Sequence, residues 1–560
     1  MVTRTVTRLA RLSGHRVSRS RVLRKAERPW QQNPVFLVGA AAASDDASPR
    51  DGRRSGEDGG NGEGERERER AGWDSAFHKL IEGSATAFGS ILVLGLAGYS
   101  YHAYYKSHVL RKMENAFAVG YSSVELAALS RHVGPTRTHS DLDVVDFEQN
   151  DWVPRSEQAI IDSIVDGTLH GQYHLITGEK GTGKTSMLLK AMRRIGGEGT
   201  AMLEAHGDPE IFRVRLGKAL DFEFHEDYIG SLFSFKGPRD TTALLDIERA
   251  FNKMEKIALK RKEQVGKPLI LIITGAHLVR DDADGQDLIE LIQQRAELWA
   301  ASNLVTIVFV SDDYWTLERL MWQATRLRIT TVRDVPRDTA LGALKTFRSD
   351  KFNEDVSQSV LEQVYDKIGG RLSFLSRVAK SQDMVRAADA ICEREKRWLL
   401  SHYWILGEDL DPGGETQQDL SSAAMLLAKT LVDREKEMKE AGTYDGRLPQ
   451  IPIHEAQQIM TNAAWIKEHE HNNIFTINSD GMVQADSVAM QHAMREICER
   501  EGFDEHLRAT LDRLDEIESL QRTREITLKD LQEDREYQAT IGRGTVSFKL
   551  GPTKADKDSN

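Results

Sequence analysis

The stretch Gly178-Glu179-Lys180-Gly181-Thr182-Gly183-Lys184-Thr185 follows the pattern of glycine, four residues, glycine, lysine and threonine that forms a phosphate-binding loop. The apolar run 173–177 before it predicts a strand, and residues 186–195 after it predict a helix. The glycines let backbone N–H groups face a phosphate at the positive end of that helix. The sequence therefore predicts a strand, loop and helix that together bind a nucleotide.

Two side chains of this loop have predicted chemical roles. Lys184 is expected to reach the β- and γ-phosphates, and the Thr185 hydroxyl to ligate Mg²⁺. The predicted cofactors are therefore ATP or ADP with Mg²⁺. The cofactor-binding residues predicted in this segment are Gly178, Glu179, Lys180, Gly181, Thr182, Gly183, Lys184, Thr185 and Ser186.

The acidic pair that should work beside the loop is missing. Such a pair normally ends a second buried strand, where it holds the Mg²⁺ shell and polarises water. The best candidate strand, 269–273, ends in Thr274 and Gly275. Thr274 could hold a metal-bound water, but it carries no charge and cannot act as a base. The acids within 281–284 are expected to be loop acids or a helix cap. The site is predicted to bind a nucleotide and to hydrolyse it poorly.

Composition limits the function classes. The chain has 560 residues, of which 40% are hydrophobic and 29% charged, which is enough for a folded core with appended segments. A net charge of −12 argues against a generic nucleic-acid coat protein. The chain has 2 cysteines, too few for a disulfide framework or a cysteine-based zinc site, so a reducing or neutral compartment fits.

The N-terminal part has the composition of a targeting segment and a linker. Residues 1–40 are rich in arginine and contain no acid before Glu27, which is typical of a mitochondrial transit peptide; a disordered basic tail is the alternative. Residues 41–84 are rich in Gly, Asp, Glu and Arg and predict a disordered linker.

Residues 85–105 form one apolar stretch of membrane-spanning length. It contains no Asp, Glu, Lys or Arg, ends in tyrosines and is followed by Lys106. These features predict a single-pass helix in the mitochondrial inner membrane, with a connector over 106–151; a buried helix of a soluble domain is the alternative. Glycines within the stretch would allow self-association, so a homo-oligomer is compatible with the sequence.

The middle of the chain alternates strands and helices over 152–335, which predicts an α/β fold with a parallel sheet. From 336 to 410 the pattern is entirely helical. This order resembles an AAA+ ATPase, nearest to the origin-recognition and STAND-like branch, whose sheet core is followed by a helical lid. The resemblance covers roughly 152–386.

The resemblance implies further nucleotide-binding residues. In the family, an Arg and Glu box before the first strand lines the adenine side, and Arg155 and Glu157 match it. A polar residue ending the fourth strand senses the γ-phosphate, which implies Ser311. An arginine opening a lid helix reaches the phosphates, which implies Arg371. The alternatives are a helix cap at Ser311 and a surface arginine at Arg371. The sequence assigns no arginine finger.

Residues 411–534 predict a winged-helix domain with a long terminal helix, because two helical segments precede a hairpin with its turn at 478–481. Winged helices often read DNA through the second of these helices. That segment, 465–471, is acidic and offers only Lys467, so a docking surface for protein is expected and nucleic acid is not. Residues 535–560 are predicted to be a disordered tail.

Together these patterns predict a membrane-anchored mitochondrial AAA+-like protein that binds ATP and acts as a nucleotide-dependent switch or scaffold. Its expected partners are a nucleotide, the mitochondrial membrane and a protein bound through the C-terminal domain. The alternatives are an active ATPase or remodelling factor, a winged-helix nucleic-acid tether, and a scaffold whose loop no longer binds nucleotide.

Overall fold

The computed structural model describes residues 64–120, 153–224, 242–404, 415–444, 446–460, 462, 464–523, 535–542 and 545–553. The chain divides into two compact units, Met1–Ala87 and Phe88–Asn560. The predicted transit peptide lies outside the described residues, as do 41–63 of the linker and 121–151 of the connector.

The first described element is a long helix, α1, over Gly64–Asn115. It includes residues 64–84, so the prediction of a disordered linker is wrong for that part. Glu and Arg are both good helix formers, and the charged run continues directly into the apolar helix. Within α1, the segment Gly83–Asn115 is long and apolar enough to cross a bilayer, and none of its most apolar window is buried.

The end of α1 packs against the rest of the second unit. Val109, Met113 and Phe117 are buried in the same hydrophobic core as the central sheet. Glu114 forms an ion pair with Lys260, with 2.7 Å between the carboxylate oxygen and Nζ. The start of the predicted connector is therefore helical and attached to the nucleotide-binding core.

The core is a five-stranded parallel sheet in the order β2-β3-β4-β1-β5. Its strands are β1 (Tyr173–Thr177), β2 (Thr200–Glu204), β3 (Leu269–Thr274), β4 (Val305–Ser311) and β5 (Leu327–Thr331). Every residue of β1, β3 and β4 is buried, which suits strands covered on both faces. The parallel α/β prediction is confirmed.

Helices cover both faces of this sheet. Helix α2 (Gln158–Val165) and helix α3 (Lys184–Arg194) pack on one face. The other face carries α4 (Pro209–Ala219), α5 (Ala243–Val265), α6 (Ala283–Ser302) and α7 (Tyr314–Met321). The Asp282 carboxylate accepts from the Gly285 N–H at 2.9 Å, so this acid caps α6. The predicted helix cap within 281–284 is therefore confirmed.

A helical lid follows the sheet. It consists of α8 (Arg337–Phe352), α9 (Gln358–Ile368), α10 (Leu372–Lys380) and α11 (Met384–Tyr403). These helices share a hydrophobic core of their own, which includes Leu344, Val364 and Val378. Helix α10 begins directly beside the phosphate-binding loop, since the Ser373 N–H donates to the Gly181 carbonyl oxygen at 3.2 Å.

The C-terminal domain is a winged helix, as predicted. Its elements are α12 (Glu415–Glu440), β6 (Ile451–Pro452), α13 (Ile453–Met460), α14 (Trp465–His471), β7 (Phe475–Ile477), β8 (Met482–Ala485), α15 (Val488–Cys498) and α16 (Phe503–Thr523). The strands β7 and β8 form the predicted antiparallel hairpin, and β6 pairs with β8. The described part of α16 packs on this same domain through Leu507.

Helix α14, the second of the two helices that precede the hairpin, docks against the sheet core of its own chain. The buried Glu470 carboxylate accepts from the N–H of Tyr314, which opens α7, at 2.9 Å. On the same helix, Lys467 pairs with Glu318 at 3.0 Å and with Asp281 at 3.4 Å. The surface expected to bind a protein partner is therefore occupied, in this arrangement, by the chain's own core.

Two more strands lie in the region predicted as a disordered tail. Strand β9 (Arg535–Gly542) pairs antiparallel with β10 (Thr545–Thr553). The prediction is wrong for these residues, because the run 545–550 alternates β-branched and aromatic residues with polar ones and has strand propensity. Residues 554–560 lie outside the described part of the chain.

The contact made by Glu470 predicts a pH-dependent stability. Burial, and then the nearby Asp313, raise the pKa of Glu470 to about 8. Between the ordinary pKa of 4.5 and about 8, the folded chain therefore keeps a proton on Glu470 that the unfolded chain has lost. The free energy of unfolding consequently falls as the pH rises through this window, by up to roughly 1.4 kcal/mol per pH unit. Glu470→Gln should flatten this fall, as measured by thermal unfolding from pH 5 to pH 9.

The matched control is Glu468→Gln on the exposed side of the same helix, which should leave the slope of the wild-type protein unchanged. The slope of Glu470→Gln should not vanish, because burial also raises the pKa of Asp313. Equal slopes in the wild-type protein and in Glu470→Gln would contradict the assignment.

Candidate nucleotide site

The phosphate-binding loop leaves the carboxyl end of β1 and enters α3. Its glycines Gly178, Gly181 and Gly183 have φ values of +147°, +85° and +98°, a region that other L-residues rarely adopt. A Cβ atom on Gly178 would also collide with the carbonyl oxygen of Val332, which follows β5. The glycines are therefore required both by the backbone curl and by the close approach of β5.

Lys184 is buried within the curl of this loop. Its Nζ donates to the carbonyl oxygens of Gly178 at 2.7 Å and Glu179 at 2.8 Å. It also forms an ion pair with Asp312, with 2.8 Å between Nζ and Oδ1. The lysine is thus held over the loop, with its charge balanced by a carboxylate of the same chain.

Asp312 is a member of the site that the sequence analysis did not assign to it. It directly follows β4, whose last residue Ser311 is in register with Thr177 at the end of β1. Its backbone N–H donates to Nδ1 of His277 at 3.1 Å. The signal that could have identified it is that parallel strands end at the same edge of a sheet, which is where ligands bind.

The end of β3 carries Thr274 and Gly275 in place of acids. The Thr274 hydroxyl donates to the Leu203 carbonyl oxygen of the neighbouring strand at 3.1 Å, so it serves the sheet. Gly275 has a φ of +63°, and a Cβ there would lie 2.9 Å from Cδ1 of Leu278. The backbone at this position is therefore unsuited to a glutamate.

Ser311 is buried, and its hydroxyl makes hydrogen bonds within the turn into α7. Its Oγ donates to the Asp313 carbonyl oxygen at 2.9 Å and accepts from the Asp313 N–H at 3.2 Å. It also lies 3.1 Å from the Thr316 hydroxyl oxygen. The N-cap position of α7 is Asp313, which makes no side-chain capping hydrogen bond, so the alternative of a helix cap at Ser311 is wrong. The γ-phosphate role implied by the resemblance stays a prediction.

Arg371 is almost completely buried, so it is not a surface arginine. Its Nε donates to Oδ1 of Asp334 at 2.8 Å, and its Nη1 donates to the Lys180 carbonyl oxygen of the loop at 2.9 Å. Nη1 also pairs with Oδ2 of Asp486 at 3.1 Å, and Nη2 donates to the Asp486 carbonyl oxygen. One guanidinium therefore joins the lid, the loop, the end of the sheet and the winged helix.

Electrostatics keep this guanidinium charged. Burial by itself would lower the pKa of Arg371, but the carboxylates of Asp334, Asp486 and Glu179 together raise it. In turn, burial raises the pKa of Asp486, while Arg371 opposes that rise. The cluster is therefore stable only while the positive charge stays in place.

Arg155 is buried on another side of the site and is incompletely paired. Its Nη2 donates to the Arg333 carbonyl oxygen, and its Nε lies 3.7 Å from Oε2 of Glu157. Neither Nε nor Nη1 has a hydrogen-bond partner in the described part of the chain. The adenine-side role that the resemblance implies for Arg155 stays a prediction.

Glu179 links the loop directly to the winged helix. Its Oε1 accepts from Nε2 of Gln484, which lies on β8, at 3.2 Å. Burial, and then Asp334, raise the pKa of this glutamate. Loop and winged helix are thus joined by a second polar contact, in addition to the one made by Arg371.

The remaining loop residues fit a bound nucleotide. Helix α3 starts after Gly183 without a side-chain cap, so its first N–H groups are free to bind an anion. The Thr182 hydroxyl is buried and donates to the Glu179 carbonyl oxygen at 2.9 Å, which fixes the loop. Thr185 is exposed and Ser186 half-buried.

The same residues can accommodate Mg²⁺. Among the described residues, no group of three or more His, Cys, Asp or Glu side chains could hold a metal ion. Mg²⁺ keeps several waters and binds through few protein ligands together with substrate phosphates, so an exposed hydroxyl such as that of Thr185 is a ligand that it accepts. Thr185 would be the protein ligand.

Besides Asp312, three residues of the site were not predicted from the sequence: Asp334, Gln484 and Asp486. Asp334 follows β5 at the ligand-binding edge, so edge reasoning could have suggested it. Gln484 and Asp486 lie about the winged-helix hairpin, and Asp486 is separated from Arg371 by 115 residues. Their roles depend on domain docking, which no local pattern shows.

Comparisons with known proteins agree with this architecture. Residues 152–308 match the AAA ATPase domain, and residues 401–518 match the C-terminal winged helix domain of fungal AAA proteins. No curated protein matches the chain.

Similar solved structures include the Walker-type ATPase of Pyrococcus abyssi, with 13% identity and a TM-score of 0.40, covering 62% of this chain and 97% of that chain. Cdc6p of Pyrobaculum aerophilum has 13% identity and a TM-score of 0.28, covering 62% and 96%. The Orc1 protein of Aeropyrum pernix, in complex with DNA, has 13% identity and a TM-score of 0.27, covering 63% and 95%.

The phosphate-binding loop, the sheet order and the two domain matches lead to one conclusion: this chain combines an AAA ATPase domain with the C-terminal winged helix domain of fungal AAA proteins.

Proposed function

We propose that the chain is a nucleotide-dependent switch in which ATP or ADP, with Mg²⁺, controls the docking of the winged helix on the AAA core. The observation that carries the proposal is the position of Arg371. This residue is the one expected to reach the phosphates, and it is bonded to the loop through Lys180 and to the winged helix through Asp486.

A bound nucleotide would supply phosphate oxygens as new acceptors beside the loop. Arg371 could exchange Asp486 for such an acceptor, since both are anionic and charge-assisted hydrogen bonds to either are strong. Losing Arg371 would leave the buried Asp486 carboxylate without its cation, which disfavours the docked arrangement. By linkage, whatever releases the winged helix must also tighten nucleotide binding.

Weak or absent hydrolysis is part of the proposal. Thr274 and Gly275 offer no carboxylate at the end of β3, and Asp312 is engaged by Lys184. An active ATPase or remodelling factor is the alternative, with its base supplied by another residue.

We also propose that residues 85–105 anchor the protein in the mitochondrial inner membrane as a single-pass helix. Large apolar side chains of this segment are exposed, including Phe88, Ile91 and Leu94. The end of the same helix packs on the AAA core through Met113. An anchor of this kind would hold the core close to the membrane surface.

The winged helix is proposed to act on protein rather than on nucleic acid. Helix α14, which reads DNA in many winged helices, is committed to the core through Glu470 and Lys467. Release would expose this surface to a protein partner or to a second copy of the chain. The expectation that nucleic acid is not a partner stays a prediction; salt-dependent DNA binding by the full chain would contradict it.

Nucleotide binding is the first test. Lys184→Ala removes the ammonium group within the loop and should weaken binding of a fluorescent ATP analogue at least about tenfold, equivalent to roughly 1.4 kcal/mol. Lys190→Ala, an exposed lysine on the same helix, should bind like the wild-type protein. No binding by the wild-type protein would favour a scaffold that has lost nucleotide.

Steady-state turnover separates the switch from an active ATPase. The purified wild-type protein should release phosphate from ATP no faster than Lys184→Ala, because the end of β3 lacks a carboxylate. Turnover that survives purification and disappears in Lys184→Ala would instead establish the alternative.

The coupling between nucleotide and docking predicts the effect of Asp486→Asn. Removing this charge frees Arg371 for a phosphate, so ATP affinity should rise by about three- to tenfold, roughly 1 kcal/mol. The control is Asp480→Asn, an exposed acid of the same domain. Unchanged affinity in Asp486→Asn would show that the Arg371–Asp486 pair does not gate the site.

A further inference from the structure

A basic cavity lies beside the phosphate-binding loop. It is bounded by the lid helices α10 and α11 on one side and by the winged helix on the other. Its volume is about 710 Å³, within the range of small-molecule sites. Lining residues that matter here are Lys180, Arg371, Arg377, Arg394, Arg397 and Trp398. Its lining does not include Lys184 or Thr185, but it shares Lys180, Gly181 and Arg371 with the predicted nucleotide site, so the cavity adjoins that site.

The cavity concentrates positive charge on a chain whose net charge is −12. Five cationic side chains line it, against the carboxylates of Glu395 and Asp486. Both carboxylates are already engaged, Asp486 by Arg371 and Glu395 by Arg394, the latter at 2.9 Å. The uncompensated charge therefore belongs to the other lining cations.

Those other cations are free to bind a ligand. Within the described ranges, the side chains of Lys180 and Arg377 have no hydrogen-bond or ion-pair partner. Arg397 is largely exposed and makes only a 3.9 Å contact with Glu393. Three cations with little or no pairing line one concavity, although like charges repel one another unless an anion is bound.

Trp398 adds a flat apolar surface to this lining. Its side chain remains half-exposed, and its Nε1 donates to the Asn472 carbonyl oxygen at 2.8 Å, which fixes the ring. His402 packs against the indole, with ring centroids 4.1 Å apart. An oriented indole beside guanidinium groups can contact the uncharged part of a ligand whose anionic part binds the arginines.

We propose that this cavity binds a small molecule carrying two or more phosphate groups. Guanidinium groups bind phosphate oxygens in pairs, and phosphates can balance several cations at once. A concavity of this volume lined by the loop, the lid and the winged helix suits a compact ligand better than an extended nucleic-acid strand. Because Asp486 and Arg371 also line it, an occupied cavity would adjoin the contact that joins the winged helix to the loop.

The test uses the full chain in detergent with the Lys184→Ala substitution, so that the nucleotide cradle is disabled. Inorganic tripolyphosphate is titrated calorimetrically. Binding should persist in Lys184→Ala and weaken about tenfold or more when Arg377→Ala and Arg397→Ala are added, since charge-assisted contacts are lost. The matched control adds Lys380→Ala, an exposed lysine one turn further along α10 that does not line the cavity.

Two results would overturn the proposal. One is loss of all tripolyphosphate binding in Lys184→Ala, and the other is equal affinity with and without the arginine substitutions. A single-stranded DNA oligonucleotide is titrated in parallel. If it binds with the same arginine dependence while tripolyphosphate does not, the surface binds nucleic acid instead. Unchanged thermal unfolding of each variant shows that the comparison concerns folded protein.

Discussion

The buried guanidinium of Arg371 is the interaction on which the domain arrangement depends. It lies where the lid, the loop, the end of β5 and the winged helix meet, and it bonds to each of them. A charge buried this deeply is tolerated only when its partners are anionic and well placed. The partners Asp334 and Asp486 come from different parts of the chain, so the charge is satisfied only when the domains are assembled. Assembly and the proposed recognition of the nucleotide therefore depend on one side chain.

The phosphate-binding loop is also held by contacts within the chain. Lys184 is held by two loop carbonyl oxygens and by Asp312, so its charge is balanced within the chain. The end of β3 is shaped differently, because Thr274 bonds to the neighbouring strand and Gly275 adopts a left-handed conformation. The loop is suited to binding a nucleotide, whereas the neighbouring end of β3 offers no acid. This combination is consistent with the proposed switch, whose output is a change of domain contacts rather than a chemical product.

Local sequence patterns predicted the parallel sheet, the loop and the winged-helix hairpin, because each is specified by short-range periodicity or by glycine-rich turns. At residues 64–84 and 535–553 the charged or polar composition predicts disorder, but the structure has a helix and a pair of strands there. These segments also have helix or strand propensity, and that propensity decided the outcome. The family resemblance implied Arg371. Asp486 and Gln484 could not be predicted, since they reach Arg371 and the loop only after two domains dock. The sequence could have predicted Asp312 as a site residue, because it follows a strand that ends at the same edge of the sheet as the loop.

The cluster around Arg371 also restricts how the sequence can change over generations. Replacing the arginine by a neutral residue would leave Asp334 and Asp486 facing each other across a buried space, each without its counter-ion. Replacing either acid alone would leave the arginine underpaired. Substitutions at these three positions, which lie in the lid, after the sheet and in the winged helix, are therefore expected to be tolerated in combination rather than singly. In related sequences the three positions should be inherited as one unit, although 152 residues separate the first from the last.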